Sequence, residues 1–151
     1  MLSGVEIDGL METLGAIRGL QSDLRTQANS ELRGSARECA NVLAVELARA
    51  AQSSGVPVAP RVARSIRVKS DRLPVVSIGG AARVGTGKRA NAGALVWGSE
   101  RGPASDPNRF AVSPNGGGYW IAPTVERFGR SDAVESYKRA VFDTLHRYGL
   151  V

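Results

Sequence analysis

Apolar positions fall at helical spacing through the first fifty residues, alternate through a short middle stretch, and return to helical spacing near the C-terminal end. Asp8 suits the N-cap of a short helix over about 9–20, with Leu10, Leu14 and Ile17 on one face and Gly15 and Gly19 weakening it. Ser22 or Asp23 opens a longer helix running to about Gln52. Its stripe is Leu24, Leu32, Ala36, Cys39, Leu43, Leu47 and Ala50, widened by Val42 and Val45. Gly55 stands where a left-handed residue ends a helix. Each proline of Val56-Pro57-Val58-Ala59-Pro60 restricts the residue before it, so no helix is expected there.

From Val62 to Ser70 the pattern is a strand. Ser65, Arg67 and Lys69 share a wet side, and Ile66 and Val68 the other. Leu73–Ile78 reads as a second strand with Pro74 at its start. A glycine-rich connection over 79–93 is expected to hold a short third strand near 81–84 and a tip at 85–89. Ala92–Trp97 is apolar and too short for periodicity to choose between strand and helix. Residues 99–118, with three prolines and Gly116-Gly117-Gly118, read as a long loop. Tyr119–Pro123 then leads into a final helix. Ser131 is its expected cap, Val134, Tyr137, Val141 and Leu145 its buried stripe, and Gly149 its stop. Helices, then strands, then a helix imply one α+β domain: a helical part over 8–54, a small mostly antiparallel sheet with long loops over 61–122, and a C-terminal helix over 131–148.

The chain has 151 residues, enough for one core, and carries a net charge of +6. That charge is uneven. Residues 61–89 hold eight bases (Arg61, Arg64, Arg67, Lys69, Arg72, Arg83, Lys88, Arg89) against Asp71 alone, while the rest is close to balanced. Such a patch is either a solvated strand face or a contact for phosphates or an acidic protein. Aromatics do not interleave with the bases as stacking platforms would.

Candidate chemistry is sparse. Gly85-Thr86-Gly87-Lys88 resembles a phosphate loop only in part. Ala82 stands where the first glycine is needed, and Arg89 stands where a magnesium-binding hydroxyl is needed. Cys39 and His146 are the only residues of their kinds and fall on different predicted helices, so neither a metal site nor a serine–histidine pair is expected. Cys39 reads as a small buried hydrophobe and His146 as a helix-end residue. No enzyme activity and no cofactor are expected. With no apolar run near ~20 residues and no basic n-region before an apolar h-region, synthesis and assembly in a cytoplasm are expected. Trp97 and Trp120 are divided evenly between core and interface.

The segment Val58-Ala59-Pro60-Arg61-Val62-Ala63-Arg64-Ser65-Ile66-Arg67-Val68 resembles the "apvrtGrLrrSIkv" stretch of small proteins from the head-to-tail joining region of long-tailed phages. These are the tail-completion or neck proteins related to the minor tail protein Z group. Asn91–Ser99 occupies the place of that family's aromatic-acidic-glycine segment, and Tyr119–Glu126 resembles the segment leading its C-terminal helix. The chain departs from the pattern at Val62-Ala63, at Trp97, and in the insert over 99–118.

The resemblance implies a structural protein of the virion, assembled in the host cytoplasm as a homo-oligomeric ring of six-fold or twelve-fold symmetry between the DNA-filled head and the tail tube. Its partners would be copies of itself and adjacent neck, portal-side or tail-tube proteins, with non-specific contact to transiting DNA and no membrane. Arg83, Lys88, Arg89, Trp97, Arg101, Tyr119 and Trp120 are the expected interface residues. Arg61, Arg64, Arg67 and Lys69 are expected to face either the DNA lumen or an acidic neighbour, with the neighbour favoured. A tail-terminator ring and a basic nucleic-acid-binding module remain the alternatives.

Overall fold

A computed structural model describes residues 17–19, 21–70, 74–81, 91–101 and 120–151. The fold is α+β and mostly helical. Its spine is α1 (Ser22–Ser53), followed by α2 (Ala59–Ala63), β1 (Arg67–Lys69), β2 (Val75–Ser77), α3 (Ala92–Arg101), α4 (Ile121–Phe128) and α5 (Asp132–Arg147).

Helix α1 has the expected span and ends as expected, with Gly55 at φ 75° just past its last turn. Of the expected stripe, Leu32 and Leu47 are buried and Ala36, Cys39, Leu43 and Ala50 half-buried, but the face departs from it at three positions. Ala28, Leu32, Ala40, Leu47 and Ala51 are buried, whereas Leu24 is 40%, Val42 43% and Val45 50% exposed. The cause is that α1 has two different partners. Its N-terminal half meets α5, and its C-terminal half meets α2, α4 and the strand pair, so the buried positions follow those neighbours rather than one straight stripe.

The segment expected to be non-helical contains α2. Pro60 lies in its first turn, where a missing N–H leaves nothing unpaired and a fixed φ suits the helix. The expected strand over 62–70 is therefore only Arg67–Lys69, and Val62 becomes a fully buried helical residue. Ser65, expected on the wet side, is buried. Its hydroxyl donates to the Val62 carbonyl at 2.6 Å and accepts from Gly79 N–H at 2.8 Å.

Strands β1 and β2 pair antiparallel, with Arg67 opposite Ser77, Val68 opposite Val76 and Lys69 opposite Val75. The expected third strand over 81–84 lies, apart from Ala81, outside the described residues.

Helix α3 resolves the open choice over 92–97. Asn91 Oδ1 accepts from Ala94 N–H at 2.8 Å, capping its start, and the helix runs to Arg101, so residues 99–101 are helical and not loop. The backbone just before it must come very close. Gly93 N–H donates to Gly80 O at 3.0 Å, and a Cβ on Gly79 would stand 3.1 Å from Gly93 Cα and from Val96 Cγ2.

The segment expected only to lead into the last helix forms α4, a helix of its own. Pro123 falls in its first turn, and Thr124 and Phe128 face inward. Helix α5 buries Val134, Tyr137 and Thr144. Val141 and Leu145 pack with Ile17, Ala28 and Leu32 in a smaller core. Ser131 takes the N-cap position, but its side chain makes no cap bond; its hydroxyl oxygen is buried without a partner, and its carbonyl accepts from Val134 and Glu135. At the other end Gly149 is left-handed at φ 68°. Leu150 N–H reaches Leu145 O and Gly149 N–H reaches His146 O, the double closure of a Schellman ending.

Candidate interaction surface

The larger core holds Leu47, Ala51, Val56, Ala59, Val62, Leu95 and Trp120. Trp120, expected among the interface residues, is instead 1% exposed and belongs to this core. The reason is local. Its indole N–H donates to Ser99 Oγ at 3.3 Å, so the ring is buried with its one polar atom satisfied.

Beside it lies the most consequential polar group, Glu100, 5% exposed. One carboxylate oxygen accepts from Trp120 N–H at 3.0 Å and Ile121 N–H at 2.7 Å, and the other from Ala122 N–H at 2.6 Å. Those are donors that the first turn of α4 leaves without intrahelical partners, and a carboxylate there also meets the positive end of the helix dipole. Glu100 thus caps a helix whose start is twenty residues away and joins α3 to α4.

A second carboxylate ties the other end of the molecule. Glu31 on α1 accepts from Arg147 Nη1 at 2.7 Å, Tyr148 Oη at 3.3 Å and Thr144 Oγ1 at 3.4 Å, linking α1 to the end of α5. Burial, together with this carboxylate, pushes the Tyr148 hydroxyl above its ordinary value. Neither Glu31 nor Glu100 carried a sequence signal, because their partners are remote in the chain.

Among the described residues no three His, Cys, Asp or Glu side chains cluster as metal ligands would, and no helix is long and apolar enough to cross a membrane. Cys39 is half-buried, and burial raises its thiol above the ordinary value, away from the thiolate a nucleophile needs. His146 is exposed on α5, with its ring 6.4 Å from that of Phe142.

The structure offers surface instead. Arg61 in α2, its C-cap Arg64, and Arg67 and Lys69 in β1 are all exposed. None of the ion pairs among the described residues includes any of them. Leu24 near the start of α1, and Val42 and Val45 in its second half, are exposed, and Phe142 is 58% exposed on α5. Of the remaining expected interface residues, Trp97 and Arg101 lie in α3, with side chains outside the described set. Arg83, Lys88, Arg89 and Tyr119 lie outside the described residues altogether. No protein-family model, curated protein or solved structure matches the chain.

Proposed function

We propose that this chain is a structural protein of the head-to-tail connector of a long-tailed phage, of the tail-completion type, working as a ring of identical subunits. The reading rests on one observation above the others. It is the resemblance of Val58–Val68 and Tyr119–Glu126 to segments of the neck proteins, carried by a chain that runs from a long helix through a strand pair to a C-terminal helix. The exposed Val42 and Val45 on α1 support it further, since a ring needs a patch on each subunit that docks on a different patch of the next. Val42 and Val45 belong to that contact.

Ring formation is tested by negative-stain electron microscopy of the purified protein, alone and mixed with DNA-filled heads that lack it. Closed rings, or heads that gain a neck, are expected. A protein that stays monomeric in both samples and leaves the heads unchanged contradicts the reading.

A further inference from the structure

The nine residues from Arg61 to Lys69 carry four bases and no acid. All four are exposed: Arg61 lies in α2 and Arg64, one helical turn on, is its C-cap, and Ser65 and Ile66 lead to β1, where Arg67 and Lys69 share one side of the strand. Arg67 is held in place: its Nη1 donates to the carbonyl oxygens of Arg64 and Ile66, both at 2.8 Å, which fixes the guanidinium at the junction of the two elements. Its other N–H groups have no partner among the described residues.

We infer that this face binds the phosphate backbone of duplex DNA without reading its sequence. Three of the four groups are guanidiniums, whose planar fork matches two phosphate oxygens at once. No aromatic residue stands among the bases to stack on unpaired nucleotides, which favours a duplex over a single strand.

A second copy of the chain is the competing source of negative charge, since its exposed Asp23, Glu38, Asp132 and Asp143 stand in no ion pair among the described residues. The poly-glutamate arm of the test separates it from DNA. Four exposed contacts give affinity that salt screens, and such contacts let DNA slide past, so the surface does not obstruct a moving duplex. The inference goes beyond the connector reading and requires no ring, since it concerns the isolated chain.

The test is fluorescence anisotropy of a labelled duplex of about 20 base pairs, titrated with the full chain between about 50 and 200 mM salt. Two unrelated sequences should bind alike, with a log–log salt slope of about −3.6. Replacing Arg61, Arg64, Arg67 and Lys69 with Ser should weaken binding at least about tenfold at low salt and flatten the slope, with the circular dichroism spectrum unchanged. A control that replaces the exposed Arg18, Arg33, Arg37 and Arg139 with Ser removes the same charge elsewhere and should weaken binding less than about threefold. Four results would each overturn the inference: no binding at low salt, equal losses in the two variants, tighter binding to the single strand, or displacement of DNA by a poly-glutamate peptide at lower concentration than by unlabelled duplex.

Discussion

Two glutamates tie separate elements together, Glu100 joining α3 to α4 beside the larger core and Glu31 joining α1 to the end of α5, and the two ties are built differently. Glu100 is buried beside Trp120 and supplies three backbone N–H groups with their acceptors. At the N-terminal half of α1, Glu31 is 39% exposed at its side chain and gathers three side chains, with the Arg147 partner 62% exposed. Backbone donors buried without water must find a partner, whereas exposed side chains return to water at little cost. One end is therefore a fixed platform, and the other a looser attachment around the small core of Ile17, Ala28 and Leu32. The basic face grows from the fixed end, through α2 and β1. A surface that must meet charge in a set register belongs on a platform of that kind.

Substitutions at the two ties separate them. Glu100→Ala should lower unfolding free energy by about 3 kcal/mol or more, because it leaves three donors without acceptors near the core, and urea denaturation reads this directly. If the loss is below about 1 kcal/mol, Glu100 is no platform and the contrast fails. A loss of about 2 kcal/mol is expected for Gly79→Ala, at the same end. The residue sits at φ 105°, and the new Cβ would press on Gly93 and Val96, so thermal melting should shift downward.

At the opposite end the effects are smaller. Tyr137 is held above its ordinary value of 10.0, chiefly by burial and then by Cys39, and Cys39 is held above 9.0 by burial. The unfolded chain loses these protons first, so the stability they protect is complete below about pH 9 and falls as pH rises through the raised folded values. Urea midpoints taken across that range should decline, and Tyr137→Phe should lessen the decline. Smallest of all, Glu31→Gln should cost under about 1 kcal/mol, with the loss shrinking further in high salt.

Much of the helical framework was legible from the residues. The span of α1, its end at Gly55 and the end of α5 at Gly149 follow from periodicity joined to glycine at a left-handed position. The α2 segment was not legible, because prolines that exclude a helix interior are welcome in a first turn, and the pattern alone does not say which applies to Pro60. The burial of α1 was misjudged at Val42 and Val45, since a single stripe assumes a single partner and this helix has several. Glu100 was invisible for another reason. Its value comes from donors at Trp120, Ile121 and Ala122, which only the fold brings beside it. The basic segment was read from its composition, yet only the structure shows that its first four bases are exposed and that Arg67 is bonded back to the Arg64 carbonyl.

The central claim is that this molecule works through its surfaces by joining copies of itself, and native mass spectrometry of the purified chain beside a Val42→Asp, Val45→Asp variant tests it most directly. The account predicts a closed oligomer of one size for the natural chain and a folded monomer for the variant, whose valines already face solvent in the single subunit. A ring of the same size from both proteins, or two monomers of which neither adds a neck to DNA-filled heads, would contradict it.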